Sequence, residues 1–154
     1  MSSQLEEILE KKKEQLDKES RDWKARRDEW LRQITVLLET IRGWIKPLED
    51  KQYLSVETTE ITITEELLGT YQAPSMVITF FTGEEVKLIP KGLHIIAGKG
   101  RVDLKLGQRE IMIVGQDEEP GWFFAEREGR GKPRYFEFCK DNFEQLLQEY
   151  LESV

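Results

Sequence analysis

The chain is poor in the residues on which most enzyme and metal sites depend. Its 154 residues include a single cysteine, Cys139, and a single histidine, His94. One cysteine excludes an internal disulfide, and one histidine with one cysteine cannot build a zinc site from several such ligands. A catalytic triad would need a nucleophile and a carboxylate brought to His94, and no sequence motif supplies them. We therefore predict no catalytic residue, no metal site and no cofactor, and we expect a protein that is not an enzyme.

Long apolar runs are also missing. No stretch approaches the ~20 consecutive apolar residues of a membrane-spanning helix, and Met1 leads directly into a charged helical pattern rather than a signal peptide. Apolar residues make up 38% of the chain and charged residues 34%, which is typical of a folded, water-soluble protein. We expect a cytoplasmic protein of bacterial type that does not contact a membrane.

The charge is acidic, with a formal net value of -7 at pH 7. A protein devoted to nucleic acid needs a basic surface, so this balance argues against a nucleic-acid partner. An acidic surface would suit a basic protein partner.

What the sequence does contain is a seven-residue apolar repeat in its first third. The repeat consists of Leu9, Leu16, Trp23, Trp30, Leu37 and Trp44. Such spacing keeps one line of side chains on one side of a helix. Ser3 and Glu6 have capping-box spacing, and good helix formers run from residue 5 to residue 46. Pro47 is expected to end the helix.

The two halves of this helix differ. Before residue 30 the surface is mostly charged around the line of apolar residues, whereas after it the apolar stripe widens to that of a helix packed on a core. About 42 helical residues span roughly 60 Å, but a domain of the remaining residues is only ~30–35 Å across. We therefore predict that residues 1–29 project as an arm for oligomerisation or for a partner, and that residues 30–154 form an α+β domain.

The arm has candidate interface residues, which are Leu9, Leu16, Trp23 and Trp30. We predict that they pair in a dimeric coiled coil. A helix packed on its own domain and a helix that binds a different protein are the two other interpretations.

After Tyr53 the apolar period changes to two, which indicates β-strands. The breaks at residues 82–83, 90–92, 98–100 and 106–108 are too short to hold crossover helices. Neighbouring strands are therefore predicted to be antiparallel.

The predicted fold class is α+β. A long N-terminal helix precedes an antiparallel curved sheet, or half-barrel meander, of about six to eight strands over residues 53–138. A short C-terminal amphipathic helix follows over residues 141–152, with its start at Asp141 because Asp141 and Glu144 have capping-box spacing. Residues 30–46 are expected to pack on the sheet.

Two predicted hairpin turns are basic. The first includes the glycine-flanked Lys99, and the second is the glycine-rich segment 127–134. If the hairpins share an edge, their side chains could bind an anion or an acidic surface. The candidates are Lys99, Arg101, Arg127, Arg130, Lys132 and Arg134. An ordinary solvated turn is the alternative, as it is for the acidic segment 116–120.

Aromatic residues crowd the last two predicted strands. They are Trp122, Phe123, Phe124, Tyr135, Phe136 and Phe138. Consecutive residues of a strand point to opposite faces, so these side chains are core if both faces are covered. A bare face would make them an interface or a ligand groove.

These observations favour a non-enzymatic interaction or assembly module that forms a homo-oligomer through its N-terminal helix and binds another macromolecule through its sheet. The alternative is a binding or inhibitor protein, of the immunity or antitoxin type, for a basic protein or a small ligand. A deep pocket with two carboxylates, one of raised pKa, would instead indicate an enzyme.

Overall fold

A computed structural model of the chain describes residues 3–66, 68–96, 99–115 and 121–154, apart from the side chains of 94–96 and 99. The long helix α1 spans Gln4–Asp50 and the short helix α2 spans Lys140–Ser153. Between them lie the strands β1 (Leu54–Glu65), β2 (Gly69–Phe80), β3 (Glu85–Ile96), β4 (Lys99–Leu106), β5 (Arg109–Gly115), β6 (Trp122–Glu126) and β7 (Arg134–Glu137). The predicted α+β class is confirmed.

Helix α1 begins as its sequence predicts, because the Ser3 hydroxyl accepts a hydrogen bond from the Glu6 N–H at 3.1 Å. The expected end at Pro47 is wrong, since the helix continues to Asp50. Pro47 lies in the last turn, so the helix loses only the one backbone hydrogen bond that this residue cannot donate. The helix ends at Asp50 and is followed by the cap residue Lys51 and by Gln52, whose φ of 63° is left-handed.

This end of α1 is a Schellman motif. The Tyr53 N–H donates to the Leu48 carbonyl at 3.0 Å, and the Gln52 N–H donates to the Glu49 carbonyl at 2.9 Å. The two bonds satisfy carbonyls that the helix leaves open, and the chain then turns into β1.

The seven strands form an open antiparallel sheet in chain order, from β1 at one edge to β7 at the other. The predicted break at residues 90–92 is wrong, because β3 runs through it with register shifts at Pro90 and Gly92. Pro90 has no N–H for the strand ladder, and Gly92, with φ 145°, tolerates the irregular backbone. The disturbance therefore bends one strand instead of separating two.

Both helices pack on the same face of the sheet. The indole of Trp44 in α1 lies 5.7 Å from the Phe143 ring of α2 and 4.9 Å from the Phe138 ring, measured between centroids. The core side chains of α1 are Trp30, Ile34, Leu37, Leu38, Ile41 and Ile45, and those of α2 are Phe143, Leu146 and Leu147. The opposite face of the sheet is covered by neither helix.

Helix α2 starts one residue before the prediction. Its N-cap is Cys139, whose carbonyl accepts the Phe143 N–H at 3.0 Å, and Cys139 is partly exposed. Asp141 is therefore not the cap. It lies in the first turn, where a negative charge still stabilises the exposed N–H groups of the helix.

Candidate functional site

The N-terminal part of α1 lies away from the core. Every residue from 4 to 22 is exposed. Four apolar side chains on this segment, here named the N-terminal apolar patch, keep half or more of their surface in water: Leu5 (66%), Ile8 (51%), Leu9 (55%) and Leu16 (66%). Leu9 and Leu16 were predicted, whereas Leu5 and Ile8 fall outside the seven-residue repeat. Leu5 lies four residues before Leu9 and Ile8 lies three residues after Leu5, and this helical spacing was the signal that could have found them.

Trp30 is not an interface residue, and this candidate is corrected. Its side chain is 1% exposed, and its indole N–H donates to the Tyr71 hydroxyl at 3.1 Å. The Trp122 ring lies 6.2 Å away, between centroids. The same seven-residue line therefore faces the chain's own sheet at this point. Trp23 is intermediate between the exposed Leu16 and the buried Trp30. It is partly buried against the core, and the Arg26 guanidinium lies 4.8 Å from the centroid of its ring.

A polar network anchors the helix where it reaches the sheet. The Tyr71 hydroxyl donates to the carboxylate of Glu65, which also accepts the Leu93 N–H at 2.9 Å. Burial and the neighbouring carboxylate raise the pKa of Tyr71 well above its ordinary value. Gly100 lies so close to Trp30 that an added Cβ would be 2.0 Å from the indole. This junction holds the helix tightly at one position.

Of the six basic candidates, the structure brings Arg101 and Arg127 to one cleft, but Arg101 is paired with an acidic residue. Arg101 binds Asp103 through two hydrogen bonds of 2.6 and 3.0 Å, so it is already occupied. Arg101 and Arg127 do line one open cleft of about 450 Å³, together with Glu110 and Glu126. The side chain of Lys99 lies outside the described residues, as do the side chain of His94 and the segment 116–120.

The remaining candidates form the turn between β6 and β7, here named the basic turn: Arg127, Arg130, Lys132 and Arg134. All four are exposed. Arg134 lies 3.4 Å from the Glu126 carboxylate. The other three make no ion pair with any residue that the structure describes.

Asp103 and Glu110 form a carboxyl pair that the sequence did not reveal. The Asp103 side chain is fully buried, and a hydrogen bond from Glu110 to Asp103 raises the pKa of Glu110. Burial acts in the same direction, whereas the charges of Lys105 and Arg101 oppose it. Glu110 borders the open cleft but Asp103 does not, so the two carboxyl groups do not share a deep pocket.

Replacing Glu110 with glutamine is expected to raise the free energy of unfolding at pH 7 by less than about 1 kcal/mol, because nearly half of the Glu110 side chain is exposed. A raised pKa means that the folded state binds the proton more tightly than the unfolded state. Glu110 therefore stabilises the fold at low pH, and this contribution is lost as the pH rises through the folded pKa. The glutamine amide can donate to Asp103 at any pH.

Urea denaturation between pH 4 and pH 8 checks this expectation. The advantage of the glutamine variant should shrink as the pH falls. Glu57→Gln, on the exposed surface of β1, is the control and should show no such trend. A glutamine variant less stable than the original protein at pH 7 would contradict the hydrogen bond in which protonated Glu110 donates to Asp103.

A second ion-pair cluster ties α2 to the sheet. Arg109 donates to both Glu126 oxygens at 2.7 and 2.9 Å, and to a Glu149 oxygen at 2.7 Å. The Arg109 guanidinium lowers the pKa of Glu126 and that of Glu149. Since each group already has an opposite charge beside it, the cluster is suited to holding α2 in place.

The aromatic residues of β6 and β7 divide between core and surface. Phe124 is fully buried, whereas Tyr135 is 60% exposed and meets Phe123 edge to face at 5.1 Å between centroids. An open cavity of about 530 Å³ lies beside them, here named the aromatic cavity, lined by Trp122, Phe123, Tyr135, Phe136 and Glu137. Its volume is in the range of ligand pockets. Phe124 is therefore a core residue, whereas Tyr135 lies on an exposed surface, where a role in binding stays a prediction.

Neither α1 nor α2, over the residues that are described, has the length and apolar character needed to cross a bilayer. Comparison of the chain with protein-family models, with curated proteins and with solved structures found no match.

Proposed function

We propose that the chain is a non-enzymatic assembly module that self-associates through residues 4–22 of α1. The observation that supports this proposal is the exposure of the N-terminal apolar patch, whose members keep 51–66% of their surface in water. A single exposed helix of this length gains little stability in water on its own. A second copy packed along it would bury the patch and stabilise both helices.

The arrangement of the patch suits a short helix pair. Leu5, Leu9 and Leu16 lie within about 40° of one another around the helix. The segment is about 28 Å long, enough for a short two-stranded coiled coil. Polar residues such as Lys13 and Ser20 occupy the positions that a strong coiled coil fills with apolar side chains. Self-association is therefore expected to be weak and to depend on protein concentration.

The double variant Leu9→Gln, Leu16→Gln is expected to stay monomeric, whereas the original chain approaches twice the monomer mass as its concentration rises. Glutamine keeps helix propensity and charge but removes the apolar surface that pairing would bury. Light scattering after gel filtration, over a series of concentrations, measures the mass of both.

The matched control is Glu14→Gln with Lys18→Gln. This pair keeps the net charge and lies on the opposite side of the helix, so it should associate like the original chain. Circular dichroism of each variant verifies that α1 is retained. An original chain that remains a monomer throughout the concentration series would refute the proposal.

A further inference from the structure

The sheet has two open edges of different charge. No strand pairs with the outer side of β1 or β7 in the described part of the chain. The free N–H and C=O groups of an edge strand can pair with an extended peptide. The sequence of β1 contains the exposed Glu57 and Glu60 and no basic residue, whereas β7 has one exposed charge of each sign, Arg134 beside the basic turn and Glu137 at the other end of the strand. An acidic peptide would therefore be repelled by β1 and attracted to the end of β7 that adjoins the basic turn.

The length of the open β7 edge is limited at one end. The side-chain amide of Asn142 donates to the Glu137 carbonyl at 2.8 Å. The part of the edge nearest the basic turn, residues 134–136, is therefore the part that a peptide can pair with. This places the peptide between the basic turn and the aromatic cavity.

The charge of the basic turn is available to such a ligand. Arg127, Arg130 and Lys132 are exposed and have no acidic partner within residues 3–66, 68–96, 99–115 and 121–154. Glu128 is the only acidic residue between Arg127 and Arg134. Arginine in particular binds carboxylates through two parallel hydrogen bonds.

The aromatic cavity supplies the apolar contact. Tyr135 is on β7 itself, and its exposed ring is held edge to face against Phe123. Aromatic side chains fixed in this way give a large contact area at small entropic cost, which is why they are frequent among the residues that dominate binding energy. A bulky apolar side chain of the ligand fits a cavity of about 530 Å³.

We propose that β7 binds an extended acidic segment of a partner protein, which adds to the sheet as an eighth strand. Its carboxylates face the basic turn, and one bulky apolar side chain enters the aromatic cavity. A peptide is favoured over a nucleic acid because the open strand edge offers backbone N–H and C=O groups that pair with a peptide backbone. This site is separate from the N-terminal apolar patch, so it does not depend on the proposed self-association.

A library of random dodecapeptides displayed on phage, selected on the full chain, tests the proposal. Selection should enrich sequences with several Asp or Glu and one aromatic or large aliphatic residue. An enriched peptide, measured by fluorescence anisotropy, should bind about tenfold or more weakly to Arg130→Glu with Lys132→Glu, and to Tyr135→Ala. Its affinity should fall as salt is added.

The matched control is Lys87→Glu with Lys91→Glu, which reverses two exposed charges on β3 and should leave peptide affinity unchanged. Leu9→Gln with Leu16→Gln should also bind normally. Hydrogen exchange should show slower exchange of β7 amides when the peptide is bound. Equal affinity for the charge-reversed variant, absence of β7 protection, or binding of a uridine oligonucleotide but no acidic peptide would each overturn the proposal.

Discussion

Replacing Trp30 with alanine is expected to lower the free energy of unfolding by about 3–5 kcal/mol. The side chain is 1% exposed, so alanine leaves a large cavity where α1 meets the sheet. The change also removes the indole N–H that donates to Tyr71. Urea denaturation followed by circular dichroism measures the loss.

Two comparisons make this test specific. Trp23→Ala should lower the free energy of unfolding less than Trp30→Ala does, because Trp23 is only partly buried. Gly100→Ala should itself be strongly destabilising, since the added Cβ would lie 2.0 Å from the Trp30 ring. In the Trp30→Ala background that penalty should largely disappear, which a double-mutant cycle would detect. Additive effects of the two substitutions would contradict the contact.

Replacing Arg101 with methionine is expected to lower the free energy of unfolding by about 3–5 kcal/mol at pH 7. Methionine keeps much of the apolar length of the side chain but leaves the buried Asp103 carboxylate without its two hydrogen bonds from the guanidinium. Glu110 adds a second carboxyl group beside it. An unpaired Asp103 carboxylate would destabilise the folded state, because it is buried where water cannot solvate its charge.

The same denaturation measurement includes a rescue and a control. Asp103→Asn removes the stranded charge, so it should restore part of the stability lost in the Arg101→Met background. Arg32→Met removes a pair with Glu29 in which both side chains are largely exposed, and it should cost less than about 1 kcal/mol. A loss at Arg101 no larger than that at Arg32 would show that the Asp103 carboxylate does not depend on the arginine.

Much of the fold could be predicted because its signals are local. The change of apolar period after Tyr53 separates helix from strands, and the glycine turns separate most strands from one another. Ser3 predicts the start of α1 correctly, because an N-cap side chain bonds to the backbone within the first helical turn. Pro47 misled the prediction of the helix end, since the end is fixed by the left-handed backbone of Gln52.

The site was harder to predict because it depends on contacts between distant residues. Leu16 and Trp30 belong to the same seven-residue line, but of the two only Trp30 is packed against the sheet, where Tyr71, Gly100 and Trp122 lie beside it. Asp103 alternates with apolar residues like any solvent-facing strand residue, yet it is fully buried. The widening of the apolar stripe from residue 30 onward did indicate that Trp30 packs on the sheet, whereas the burial of Asp103 cannot be read from its neighbours in sequence.

The order of the strands has a consequence for the route by which the chain folds. Because neighbours in the sheet are neighbours in the sequence, each hairpin closes a short loop and can form before the rest of the sheet exists. The attachment of α1 is different, since Trp30 and its hydrogen-bond partner Tyr71 are 41 positions apart. We expect hairpins such as β4–β5 to form early and the docking of the helix to complete the core last.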